Sequence, residues 1–384
     1  MRSRLAILAL ALALAAMAFA PALGAQTVRG NLIQSGTDEP IAQAFVILLD
    51  VTGRIVGTTL TSTRGEFVIP APASGAYKLR TDRIGYASAH SPEFELQRGQ
   101  VFEYQMRVAI EPVELSSLDV RRGARCELLP DEGRQIYTVW EEARKAMAAS
   151  VWTGMQQYYR FDAVHFVNDL DRAGRRRNEV SVEEVRYYGR HPFKSIGSRD
   201  LALGGFVQSV PGRVAYYGPD ADVMMSEDFL ARHCFRLAAG SGEHAGSIGL
   251  EFEPVGERRL SDIAGVIWLD RSTAALQHLE YEYRNLRLPV STKRLGGRVE
   301  FKRLPSGAWI VQRWYIRVPI IEFSEVRVAG GGREVRPVLQ GIDEGGGAVT
   351  AVYATSRLFE SDPADSLGVS PPPDSLIARY PFEP

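Results

Sequence analysis

From Gly249 to Val328 apolar residues recur with a period of two in one segment after another, and this leaves the chain little choice but a meander of antiparallel strands. LEFE at Leu250 to Glu253 alternates apolar and charged, and GVIWLD at Gly265 to Asp270 is apolar on both faces. HLEYEYR at His278 to Arg284 alternates again. VEFKRLP at Val299 to Pro305 turns at Pro305-Ser306-Gly307 into AWIVQRWYIRVP. Four or five consecutive strands with short turns are expected, and most of the core has to be built on them.

The N-terminus reads differently. Arg2 and Arg4 precede an apolar run from Leu5 to Phe19, then Pro21 and small residues to Ala25. This is the order of a secretory leader with cleavage between Ala22 and Gln26, and the run is too short for a typical membrane span. Losing the leader removes two arginines from a chain whose formal net charge is already -1, so nucleic acid is not an expected partner. No later stretch approaches the roughly 18 apolar residues of a spanning helix, so no transmembrane segment is expected after cleavage. No cysteine lies at the cleavage region, which argues against a lipid anchor.

Cys126 and Cys234 are the two cysteines, and in an oxidising compartment a disulfide between them is the natural reading, with two free thiols as the alternative.

From Thr27 to about Val120 short strands alternate with turn signals: TVRGNLIQ, AFVILLD, IVGTTLTS, EFVIP, AYKLRTD and FEYQMRVA. Such spacing predicts an antiparallel sandwich of about seven strands. The ordered motifs G-x-L near Gly30, P-I-A-x-A-x-V at Pro40 to Val46, T-x-G-x-F at Thr63 to Phe67, Y-x-L at Tyr77 to Leu79 and I-G-Y at Ile84 to Tyr86 resemble the carboxypeptidase regulatory-like domain, a transthyretin-like β-sandwich. Within that resemblance Gly65 takes a tight turn at positive φ, while Phe67, Tyr77 and Tyr86 fill the space between sheets. The resemblance implies an accessory module that does not itself cleave peptides and whose fold is grouped with carbohydrate-binding-like sandwiches. The same module often precedes outer-membrane transporters, and VELSSLDVRRG at Val113 to Gly123 resembles the junction used there. About 260 residues follow it, too few for a plug and a barrel of about 22 strands.

After the junction, Ile136, Val139, Trp140, Ala143 and Met147 fall at helical spacing, with Glu141, Glu142, Arg144 and Lys145 on other faces. Strands are expected at Met155 to Val167, Glu179 to Tyr188, Phe206 to Val210 and Arg213 to Tyr217. A short helix capped by Ser226 would present Cys234 at its end. GSGEHAGS at Gly240 to Ser247 reads as a flexible loop, and AGGGRE and DEGGGA as interruptions in two further strands. The block from Ala124 to Ser356 resembles bacterial extracytoplasmic domains of unknown function, through S-E-D-F, H-C-F, G-x-I-W-L-D and the segment around Trp309. Its meander and helix are also similar in architecture to the incomplete barrels of periplasmic lipid carriers. The expected division is a leader over 1–25, a sandwich over 26–120, an α+β antiparallel half-barrel with one long helix over 121–356, and a disordered tail over 357–384.

Candidate chemistry is sparse. H-x-x-E occurs at His90 to Glu93 but contains Pro92 and lies in the sandwich. His278, Glu280 and Glu282 share one face of a strand; as metal ligands they would need further groups, and as a solvated face with Arg284 they need nothing. His233 beside Cys234 could be read as a reactive pair, but a disulfide next to an incidental histidine explains it better. There is no G-x-S-x-G elbow, the glycine runs at Gly240, Gly330 and Gly345 lack phosphate-loop spacing, and Glu141-Glu142 and Glu183-Glu184 are adjacent and so point apart. The aromatics Trp268, Tyr281, Tyr283 and Trp309 lie where strands are apolar on both faces, and are the candidate ligand-facing residues. The expectation is a non-catalytic protein without catalytic, metal or cofactor residues, secreted or periplasmic and associated with the outer membrane, binding a glycan, lipid or peptide or an outer-membrane protein. The alternatives are a periplasmic lipid carrier and a hydrolase with an acidic site.

Overall fold

In a computed structural model of the protein, the described residues are 26–109 apart from 85 and 87, and 130–354 apart from 156–158, 189–190, 212, 257–258, 287–293, 306 and 328–332. The leader, the junction at Val113 to Gly123, Cys126, Gly330 and the tail past residue 356 lie outside them. Strands dominate both of the compact units into which the chain divides, residues 1–110 and 111–384.

The first unit contains β1 (Thr27–Gln34), β2 (Phe45–Asp50), β3 (Ile55–Leu60), β4 (Glu66–Pro70), β5 (Gly75–Asp82), β6 (Ala89–His90), β7 (Phe94–Leu96) and β8 (Val101–Val108). They form one sheet in the order β4-β1-β8 and another in the order β3-β2-β5-β6, with β7 also paired to β5. Eight strands thus stand where about seven were expected, the extra one arising because β6 and β7 are separate short pieces. Val28 and Leu32 of β1, Phe67 of β4 and Met106 of β8 pack with Val46, Leu48 and Leu79 of the second sheet in one apolar core. Gly65 has φ 75°, and a Cβ there would lie 2.5 Å from the Leu32 carbonyl oxygen, so the turn before β4 requires glycine. Phe67 and Tyr77 are buried as expected, but Tyr86 is only half-buried and lies under the Arg83 guanidinium, 4.5 Å from its ring centroid. A polar rim contact replaces the expected core contact.

The second unit contains α1 (Pro130–Met155), β9 (Tyr159–Leu170), β10 (Arg176–Tyr188), α2 (Ser198–Gly204), β11 (Val207–Val210), β12 (Arg213–Tyr216), α3 (Ala221–Met225), α4 (Glu227–Leu230), β13 (His233–Ala239), β14 (Ser247–Pro254), β15 (Asp262–Asp270), β16 (Leu276–Arg284), β17 (Gly296–Arg303), β18 (Trp309–Arg327) and β19 (Arg333–Ala354). Nine strands form one antiparallel sheet in the order β10-β9-β19-β18-β17-β16-β15-β14-β13, and among the described residues it closes into no barrel. The five strands β14 to β18 are the meander read from the sequence.

Two glycine segments behave otherwise than expected. Gly345, Gly346 and Gly347 lie inside β19, paired to both β18 and β9. A Cβ at Gly347 would stand 2.3 Å from the Trp314 indole, so the run makes room for an aromatic ring on the neighbouring strand. Gly240 to Ser247 is a tight connection with a single 3-10 turn at Gly242–His244, and not a loose loop. In addition, α1 extends to Met155, so the next strand begins at Tyr159, and Cys234 lies on β13 beyond the short helix that Ser226 caps.

Register separates the sheet into two unlike faces, because residues opposed across strands share a side. Phe235, Phe252, Leu250, Ile267, Leu279, Tyr281, Val299 and Trp314 fall on one face. α1 packs on it, its Trp140 ring 5.6 Å from that of Phe235, and also touches α3. Val139, Ala143 and Met147 are buried as the helical spacing required. Glu142 and Lys145 are not on an outer face: their side chains are 1% and 4% exposed and pair at 2.6 Å, because α1 is covered from two sides.

Removing one partner of such a pair strands a buried charge. Lys145→Met is expected to destabilise the full chain by about 3 kcal/mol, and Glu142→Leu combined with it to recover most of the loss. Denaturant midpoints of the wild type, single and double variants check this.

Candidate metal centre

The other face of the large sheet carries charges where its opposite carries rings. Arg236 and Glu251 pair at one end, and Arg317, Glu344 and Asn168 are linked at the other, with Arg317 Nε 2.8 Å from Glu344 Oε2 and Asn168 Nδ2 3.0 Å from Oε1. Between them the register opposes His278 to Trp268 and Glu300, and Glu280 to Arg298. The alternation of HLEYEYR therefore sends His278 and Glu280 to the polar side while Leu279, Tyr281 and Tyr283 enter the core.

Glu280 is the hub. Arg298 Nη1 lies 2.9 Å from its Oε1 and Arg298 Nε 3.3 Å from Glu300 Oε1. His278 Nε2 is 3.3 Å from Glu280 Oε1, but the approach is misaligned for a hydrogen bond and this buried nitrogen has no hydrogen-bond partner among the described residues. His244, from the turn between β13 and β14, reaches over the strands and places its Nε2 3.7 Å from Glu280 Oε2 and 3.1 Å from Glu243 Oε1. Its imidazole stacks on the Trp268 indole with centroids 4.1 Å apart and planes 10° apart. The indole in turn lies over Gly249, where a Cβ would come within 2.9 Å of the ring. One donor atom each from His244, His278 and Glu280 lie within 4.8 Å of one another.

Burial holds the His278 imidazole below its ordinary value against the pull of the neighbouring carboxylate. Burial alone would raise the Glu280 carboxyl, but the His278 ring, with Arg298 and His244, outweighs it and holds the group below its ordinary value.

Of the residues read from the sequence, His278 and Glu280 come together and Glu282 does not, since it pairs with Arg284 at 2.9 Å. His244 was missed; the one signal for it was a histidine set in a glycine-rich turn. At His90 to Glu93 the histidine is exposed and the carboxylate lies 3.4 Å from Lys78. His233 is occupied on both ring nitrogens, Nδ1 by the Phe229 carbonyl at 2.9 Å and Nε2 by the Ile263 carbonyl at 3.3 Å, with Asp262 Oδ1 also 3.3 Å away, so it is not free for a reactive pair with Cys234. All four candidate ligand-facing aromatics are buried. Trp268 borders the polar cluster, whereas Tyr281 and Tyr283 belong to the apolar face and Trp309 is buried at the start of β18.

Residues 27–109 match the model of the carboxypeptidase regulatory-like domain, as the motifs from Gly30 to Tyr86 implied. A comparison with curated proteins finds no match. Among solved structures the chain is similar to 5-hydroxyisourate hydrolase of Klebsiella pneumoniae at 16% identity, over 22% of this chain and 91% of that one, with a TM-score of 0.19. It is also similar to a Bacteroides uniformis protein provisionally described as carbohydrate-binding, at 10% identity over 60% and 91% with a TM-score of 0.19. BcpA, the major pilin subunit of Bacillus cereus, is similar at 10% identity over 83% and 95% with a TM-score of 0.20. Scores of this size carry no argument about the whole chain. No helix among the described residues is long and apolar enough to cross a membrane.

Burial raises the phenols of Tyr281 and Tyr283 above their ordinary value of 10.0. A phenol that ionises later in the folded than in the unfolded chain stabilises the fold fully below pH 10 and progressively less as pH rises through the folded value. Spectrophotometric titration is expected to find these tyrosines silent until alkaline unfolding, and unfolding midpoints to fall above about pH 10.

Proposed function

We propose that this chain works outside the cytoplasm as a non-catalytic binding and scaffolding protein of the bacterial cell envelope. The observation that carries the reading is the two-faced sheet: one face is packed under α1, and the other holds a ladder of charges around a buried imidazole nitrogen, His278 Nε2, that no described residue satisfies. Buried polar atoms are nearly always paired, so an orphan at the centre of a polar face favours a bound group. The match of residues 27–109 to the regulatory-like module agrees with an accessory role for that unit. The burial of Tyr281, Tyr283 and Trp309 weighs against a lipid tail laid along those rings.

Secretion belongs to the same proposal, together with a Cys126 to Cys234 disulfide. Cys234 sits half-buried on β13 and no free cysteine occurs among the described residues. Closing a loop of about a hundred residues contributes at most about 4 to 5 kcal/mol.

Purified mature protein is expected to turn over no substrate in peptide, ester and glycan panels, and turnover abolished by Glu280→Gln would reverse the reading. Alkylation before and after reduction is expected to label no thiol in the native chain and two in the reduced one, by intact mass. Two labels without reduction would remove the disulfide and the support it lends to secretion.

A further inference from the structure

We infer that His244, His278 and Glu280 form a binding site for a first-row divalent metal ion of zinc's class. The inference rests on the binding reading above and names the ligand of that same polar face.

Two imidazoles and one carboxylate are the donor set that suits zinc, nickel, copper or cobalt, and not the all-oxygen set of calcium or magnesium. Three protein ligands are also the count of sites that keep a fourth position for water or a bound group. With metal bonds near 2.0 to 2.1 Å, the edge of a tetrahedron is about 3.4 Å. His278 Nε2 to Glu280 Oε1 is 3.3 Å and His244 Nε2 to Glu280 Oε2 is 3.7 Å, with all three donors inside 4.8 Å. The two contacts end on different oxygens of the Glu280 carboxylate, so the single-donor separations are bounded by 4.8 Å and the donors must close by up to about 1.4 Å to reach a tetrahedral edge.

The surroundings orient these donors. Arg298 holds Oε1 of Glu280 at 2.9 Å, which leaves Oε2 on the side of His244. Trp268 fixes the plane of the His244 ring by stacking, and Gly249 leaves the space that the indole needs. Outer groups that position ligands in this way are a regular part of metal sites. Arg298 is itself offset by Glu300 at 3.3 Å, which limits the repulsion it would exert on a cation.

A purely structural ion cluster explains less of this geometry. His278, with a side chain 8% exposed, would then bury an unmade hydrogen bond at a cost of roughly 1 to 3 kcal/mol. A metal satisfies that nitrogen and ties the β13–β14 turn to β16.

The test is a Zn2+ titration of the untagged, full-length mature chain against a chromophoric chelator, with Co2+ absorption as a second reading of coordination. Binding of one equivalent is expected, with His244→Gln and Glu280→Gln each weakening it at least tenfold. His90→Gln, in the other unit, is expected to leave it unchanged. Circular dichroism checks that each variant is folded. His244→Gln is the decisive one because the turn is peripheral to the core. Cu2+ should quench part of the tryptophan fluorescence in the wild type and not in His244→Gln. Absence of stoichiometric binding, or binding that His244→Gln leaves intact, overturns the site while leaving the non-catalytic reading in place. Zinc-dependent turnover in the substrate panels, lost in His244→Gln, would keep the site and overturn that reading instead.

Discussion

The period of two in a β-strand is the constraint on which the second unit depends. Each strand of the meander must send alternate side chains to opposite sides, and hydrogen-bonded register then sums these choices across all nine strands. In β16 the result is direct: Leu279, Tyr281 and Tyr283 are buried on the side of α1, while His278 and Glu280 are delivered to the other. A one-residue slip of β16 against its neighbours would bury Glu280 under the helix and expose the tyrosines. The apolar face therefore fixes the register, and the polar cluster is assembled as its consequence.

Close packing makes two further demands on the sequence. Large rings need strand neighbours without side chains, which is why Gly249 faces Trp268 and Gly347 faces Trp314. The helix, covered by both the sheet and α3, takes a buried Glu142–Lys145 pair into its contact. Its net stabilisation is small beside the cost of breaking it, because desolvation offsets most of the attraction.

What the sequence makes legible follows the same physics. Local periodicity identifies the sandwich strands, the meander and α1, and ordered motifs identify the first unit, because each of these signals lies within a few residues of chain. Glycine misleads: a run such as Gly345 to Gly347 reads as a break when no neighbouring ring is known, and becomes a strand once Trp314 lies against it. The half of the candidate site on β16 is visible as His278 and Glu280 at spacing two. The rest is not, because pairing Glu280 with Arg298 and bringing His244 over Trp268 depend on register and on a turn 34 residues away from His278.

That division also bears on what the site can do. His278 and Glu280 sit on a central strand held by neighbours on both sides, so their separation is fixed by the sheet. His244 sits on the turn at the end of the edge hairpin β13–β14, which is closed by backbone hydrogen bonds from the Gly240 N–H to the Ser247 carbonyl and from the His244 N–H to the Ser241 carbonyl. Two donors on a central strand and one on an edge turn make a site at the rim of the sheet, and whatever binds all three ties that turn to β16. The stacking of His244 on Trp268 already supplies part of this tie, which lowers the entropy lost on binding and gives the polar face a preformed shape.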